Sequence, residues 1–177
     1  MIPKEEFDGL VERLKLEEGF SATAFWDDAP GGGKGQWTFG YGTRAPGEGA
    51  TITPIRAEYE LRAKLLVAEK AYHKVFDAAP FPINAVRRDA LIDMIFNLGE
   101  TRFRGFRQMI AEIMDDDPND WVAVAAEAAD SVWWKQLGGD DPRRGRGERA
   151  KRIVAELATG LIQDNEKGDT TCTDLHR

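Results

Sequence analysis

The sequence predicts a mostly helical α+β chain with one small antiparallel sheet near its N-terminal end. Three observations carry that reading. Phe7, Leu10, Val11 and Leu14 recur at helical spacing just ahead of Gly19. Residues 20 to 50 hold Gly31, Gly32, Gly33, Gly35, Gly40, Gly42, Gly47 and Gly49 with aromatics between them, the mark of short strands joined by turns. The stretch from Thr53 to about Ala79 contains few breakers until Pro80 and Pro82 stop it.

Taken in order, the first helix is expected from about Lys4 to Glu18. Gly19 follows it because a left-handed backbone just past a helix end costs glycine little. Glu18 therefore sits at the negative end of a helix dipole, a poor place for a carboxylate and one that favours holding a proton. The run Trp37-Thr38-Phe39-Gly40-Tyr41-Gly42-Thr43 reads as part of a turn-rich sheet. Thr53-Pro54 starts the long helix with a capping hydroxyl and a proline at the first helical position. About 24 residues of helix span roughly 36 Å, enough to bridge two lobes. Asn84 caps the next helix, which ends at Gly99 and carries Val86, Ala90, Met94 and Ile95 toward a core. Phe106, Met109, Ile110, Ile113 and Met114 mark another, stopped at Asp115-Asp116-Asp117-Pro118. Asn119 is expected to cap the one after it, which carries Trp121 and Val124. Residues 138 to 147 read as a Gly/Arg/Asp loop, Glu148 to about Thr159 as the last helix, and the segment from Leu161 as a polar tail.

The bulk composition narrows the function. At 177 residues and 42% hydrophobic, one compact domain, in one lobe or two, is the default. No apolar run is long enough to span a membrane, and Met1 to Glu6 lacks the apolar core of a secretory signal. A net charge of -7 argues against general nucleic-acid binding. Cys172 alone excludes an internal disulfide and fits synthesis in a reducing compartment. His73 and His176 are too few and too separated for a zinc site, and the aspartates at 115 to 117 lack the spacing of a calcium loop. No metal or cofactor is expected. Two clusters of basic residues, Arg87 to Arg107 and Arg143 to Arg152, read either as solvated faces or as substrate-facing patches.

The chemistry rests on carboxylates. Glu18 at a helix end and Asp27 near a hairpin are placed to face one substrate bond, Glu18 as an acid, Asp27 steering a water or attacking directly. Thr38 adds a hydroxyl that holds the same water. Asp28 is an alternative to Asp27. Glu18-Gly19, Phe25-Trp26-Asp27 and Thr38-Phe39-Gly40 together resemble the signature of the phage-type lysozymes, glycoside hydrolase family 24. Ala85-Val86-Arg87-Arg88, Met94 to Thr101, Gly105-Phe106, Ser131 to Trp134 and Arg149 to Arg152 extend the resemblance, in one order, over roughly residues 7 to 160.

The resemblance implies a two-lobed lysozyme-like fold as a single domain over 1–160. A small β-containing lobe at about 19–60 and a helical lobe at about 83–160 that includes the first helix are joined by the helix at about 54–79, with 161–177 a flexible polar tail. It implies a muramidase that cleaves peptidoglycan between N-acetylmuramic acid and N-acetylglucosamine with inversion, Glu18, Asp27 and Thr38 being catalytic. It makes Arg149 the partner of Glu18 and Arg152 the partner of Glu17, and brings Asn97 and Glu100 to the cleft. The setting implied is a phage or prophage endolysin, monomeric, made in the host cytoplasm, released to act on the wall in the periplasm and not inserted in the membrane. An effector or virion-borne muramidase, or an inactive glycan-binding descendant, are the alternatives. Two features depart from the family. The negative charge is opposite to the positive charge that commonly draws lysozymes to anionic walls. The link between Asp27 and Thr38, Asp28 to Trp37, is longer than usual. It either extends the hairpin tip or alters the cleft lip, where Trp37 would offer a ring to a sugar.

Overall fold

The computed structural model describes residues 1–28, 35–115, 120–137 and 147–162. It opens with helix α1 (Lys4–Glu18), whose Leu10, Val11 and Leu14 are buried as the spacing requires. Gly19, at φ 68, donates its N–H to the Lys15 carbonyl and turns the chain out of the helix. The chain enters β1 (Ser21–Asp27), which pairs antiparallel with β2 (Gln36–Gly40), which in turn pairs with β3 (Thr43–Arg44). The register sets Phe25 opposite Thr38, Trp26 opposite Trp37 and Asp27 opposite Gln36. Residues 50–52 return along the free edge of β1, with Ala24 N–H to the Ala50 carbonyl at 2.8 Å and Ile52 N–H to the Ala22 carbonyl at 2.9 Å.

Helix α2 (Pro54–Phe76) starts as expected, the Thr53 hydroxyl accepting from Arg56 N–H at 3.3 Å. It ends about three residues short of Ala79. Ala79 N–H reaches back only to the Phe76 carbonyl, a tightened last turn, because the residue before Pro80 is kept out of the helical region. Helix α3 (Ala85–Leu98) is capped by the Asn84 side chain and closed by Gly99. A short α4 (Glu100–Phe103) follows directly, then α5 (Arg107–Met114), α6 (Trp121–Ala129), α7 (Val132–Leu137) and α8 (Gly147–Thr159). The cap of α6 is Asp120, whose carboxylate accepts from Ala123 N–H at 2.9 Å. Asn119, the expected cap, lies outside the described residues, as do the aspartates 116 and 117, most of the 138 to 147 loop, most of the link after Asp28, and the tail from 163 on.

The fold is therefore mostly helical with a three-stranded antiparallel sheet, a lysozyme-like α+β arrangement. Its core is one cluster in which Leu10 and Leu14 of α1, Leu61 and Leu65 of α2, Leu91, Ile92, Met94 and Ile95 of α3 and Ile153 and Leu157 of α8 are all essentially inaccessible. Each such side chain contributes about 1.5–3 kcal/mol by leaving water. Because α3 packs on both α2 and α8, it sits at the centre, and the end of α1 is linked to it through arginines of α8. The C-terminal carbonyls of α8 are satisfied by Arg87, which donates from Nε to the Leu157 carbonyl at 2.9 Å and from Nη2 to that of Ala158 at 3.2 Å. No described helix is long and apolar enough to cross a membrane.

Candidate active site

The end of α1 meets the sheet at the turn between β2 and β3. The rings of Phe20 and Tyr41 lie 5.5 Å apart and tie the exit of α1 to that turn. Gly42 is in the left-handed region at φ 70, and a Cβ there would stand 3.2 Å from Glu18 Oε2. The backbone thus favours glycine, and a side chain there would crowd the carboxylate beside it. The Gly42 carbonyl accepts from Lys64 Nζ at 2.7 Å, so α2 braces the turn from behind. Loss of hydration lowers the Lys64 ammonium from its ordinary value, against the pull of Glu18 and Glu60.

The other Glu18 oxygen, Oε1, accepts from Arg149 Nη1 at 2.6 Å. Arg149 is one of two buried guanidinium groups that α8 sends between α1 and α3. Its Nε and Nη2 both donate to Asp93 Oδ1, from Nε at 3.0 Å. Arg152 donates to Asp93 Oδ2 from Nη2, to Glu17 Oε1 from Nη2 at 2.7 Å and Nε at 3.1 Å, and to Glu156 Oε2 from Nη1 at 2.6 Å. Glu17 Oε2 also lies 3.1 Å from Arg149 Nε, a charge contact without hydrogen-bond alignment. Both expected pairs, Arg149 with Glu18 and Arg152 with Glu17, are thus present. Neither arginine belongs to a solvated face.

Burial pushes Asp93 upward, but Arg149 and Arg152 together outweigh it and hold the carboxyl below its ordinary value. Glu17 is raised, first by burial and then by the charge of Asp93. Arg149 stays charged: burial works against it, and Asp93 and Glu18 more than compensate. Asp93 was not legible as a site residue, although one signal was there. It is the only charged residue in the run Ala90 to Phe96, and an acid in so apolar a stretch is buried only if paired.

On the sheet, residues that pair across the ladder share a face. Phe25, Asp27, Gln36 and Thr38 therefore lie together, with Asp27 and Thr38 on a diagonal that typically spans about 7–8 Å. Thr38 is 2% exposed, and its hydroxyl has no hydrogen-bond partner among the described residues. A buried hydroxyl without a partner is uncommon. Asp27 is half-buried, and its carboxylate makes no hydrogen bond to a described side chain or backbone group. Asp28, by contrast, accepts from the Trp26 indole N–H at 2.8 Å. Trp37 is on the opposite face, its ring edge-on to Trp26 at 5.5 Å, so it is not brought together with Asp27 and Thr38.

At the end of α3, Asn97 Oδ1 accepts from Trp133 Nε1 at 3.1 Å, which fixes its amide, while Trp133 itself is core. Glu100 is held by Lys74 at 3.0 Å and by Arg104 at 3.1 Å. These contacts give Asn97 and Glu100 partners of their own, and Glu100 lines a shallow groove together with Lys64 and Phe96. A groove of about 790 Å³ opens between α4–α5 and α6–α7 and is lined by Arg102, Phe106, Glu127, Asp130 and Trp133. It holds none of Glu18, Asp27 or Thr38. A family model described as phage lysozyme matches residues 15–151, from the last turn of α1 through the sheet and α3 to Arg149 in α8.

Proposed function

The chain belongs to the phage lysozyme family, and on that footing we propose that it is a muramidase, hydrolysing the β-1,4 bond between N-acetylmuramic acid and N-acetylglucosamine in peptidoglycan with inversion. Glu18 is the general acid. Arg149 occupies Oε1, and Oε2, against the hairpin turn, carries the proton to the glycosidic oxygen as the C–O bond breaks. Asp27 is the base. It takes a proton from a water that attacks the anomeric carbon from the opposite face of the ring, and the Thr38 hydroxyl orients that water. The observation that carries this reading is the unpartnered Thr38 hydroxyl, buried on the sheet face that also carries Asp27. A water between them needs two polar partners, and these two groups supply them. Asp28 is spent on the Trp26 indole, which leaves Asp27 as the base. The biological role we assign is host lysis by a phage or prophage, the protein working as a monomer on the wall.

Inversion needs room for the water, so the two carboxyl groups stand roughly 6.5–9.5 Å apart, against roughly 5–5.5 Å for a nucleophile that attacks directly. Proton NMR of freshly cleaved soluble glycan tests this. The expected first product is the α anomer. A β anomer appearing first would make Asp27 a nucleophile and remove the water from the account.

A further inference from the structure

We propose that Asp93 is a positioning residue for Glu18, acting through the Arg149 guanidinium; the proposal rests on Glu18 being the acid. Asp93 is wholly buried at the centre of α3, and its carboxylate is spent on Arg149 and Arg152. Its carboxylate is where the two arginines of α8 converge. Oδ1 takes one whole edge of Arg149, through Nε and Nη2, and Oδ2 takes Arg152. A guanidinium is planar and rigid, so fixing one edge fixes the direction of its remaining nitrogen. That nitrogen is Nη1, and it points at Glu18 Oε1. Phe96, one turn along α3 from Asp93, lies 5.9 Å from the same guanidinium and covers it. Helix α3 thus sets both the edge and the face of Arg149, and through them which Glu18 oxygen is held and which is left toward Gly42.

Asp93 also divides a charge. The groups facing this cluster among the described residues are Arg13, Glu17 and Glu18 from α1, Lys64 from α2, Asp93 from α3, and Arg149, Arg152 and Glu156 from α8. Arg149 serves Asp93, Glu17 and Glu18 together. A neutral residue at 93 would leave more of that cation to Glu18, and a carboxyl next to an undivided cation gives up its proton more readily. An acid catalyst needs the proton in place at the working pH. An amide at 93 would also turn a donor toward one of the two arginines, so the residue can no longer anchor both.

The test is Asp93→Asn in the full chain, with kcat and KM measured on soluble glycan strands from pH 4 to 9. The folded variant is expected to keep KM within about twofold and lose kcat by tens-fold, up to about a hundredfold, as when a reacting group is slightly misplaced. Its alkaline limb should move toward lower pH, the direction in which a less divided neighbouring cation shifts a carboxyl. A wild-type kcat and profile in a folded variant, or a raised KM with normal kcat, would overturn the proposal. Arg149→Lys is a second test, independent of whether Asp93→Asn folds, because lysine keeps the charge but has no fork. A fall in kcat with KM held is expected there, and full kcat would overturn the orienting role. A Glu18→Gln control separates the two levels. If it stays active, the functional reading fails whatever Asp93 does; if it is inactive while both other variants are normal, only the role of Asp93 fails.

Discussion

Replacing Arg149 by methionine removes the group on which the buried cluster turns. The side chain is 9% exposed and pairs with Glu17, Glu18 and the inaccessible Asp93. Methionine fills much of the volume, so the cost is electrostatic: Asp93 keeps Arg152 but loses the cation that held its other oxygen. Removing one partner of a buried pair typically costs about 3–5 kcal/mol. In a chain of this size 1 kcal/mol moves Tm by about 2–4 °C, so the expected drop is about 6–20 °C at neutral pH. The pH dependence checks the cause. In the wild type Asp93 is held below its ordinary 3.8 by the two arginines, so its stabilising contribution is present above that value and lost as pH falls through the lower folded one. In the variant, burial acts against one arginine instead of two, and an ionised Asp93 becomes a cost that protonation removes. Glu17, already raised by burial and by Asp93, moves the same way. Circular-dichroism melts should therefore show the largest Tm gap near neutral pH and a narrowing gap on acidification. Adding Asp93→Asn to Arg149→Met should recover part of the loss, because the two residues share one interaction. A gap under about 2 °C, or one constant with pH, would refute the reasoning; two degrees is less than about 1 kcal/mol in a protein of this length.

Three further outcomes follow from the site. Glu18→Gln should fold normally and lose at least about a hundredfold in turbidity clearance of purified peptidoglycan, within the usual contribution of general acid catalysis; near-normal clearance would reject the acid assignment. Asp27→Asn should be severely impaired and Asp28→Asn mildly so, since only Asp28 is occupied by the Trp26 indole, and the reverse order in the same assay would mean that the base is misassigned. Gly42→Ala should lower Tm, a left-handed non-glycine residue costing roughly 1–2 kcal/mol. It should also depress lysis beyond that loss, as the new Cβ would stand 3.2 Å from Glu18 Oε2. Normal lysis at a temperature where the variant is fully folded would show that the carboxylate need not rest there.

How much was legible in the sequence depended on how local each feature is. The limits of α1 follow from four apolar positions and one glycine, and the start of α2 from Thr53 and Pro54; such signals act within one turn. Helices α4 and α7, four and six residues long, are too short to show a period, and they form because Phe103, Trp133 and Leu137 find room in the core. Which side of the sheet a residue faces needs the pairing register: one step along β2 separates Thr38, on the Asp27 face, from Trp37, set edge-on to Trp26. The pairing of Glu18 with Arg149 spans 131 positions, and only the family resemblance anticipated it. Asp93 was hidden for the opposite reason. It sits in an apolar stretch of α3, where helical spacing says only that the position is inside and not what meets it there.

The most direct measurement is the chemical identity of the ends released from purified peptidoglycan. Mass spectrometry of the soluble fragments from wild type and Glu18→Gln, with reducing ends labelled, reads bond and mechanism together. Hydrolysis by an acid and a water predicts new reducing N-acetylmuramic acid ends carrying the added water, from the wild type only. Anhydro ends, new peptide amino termini, or equal release by the Glu18→Gln variant would contradict it.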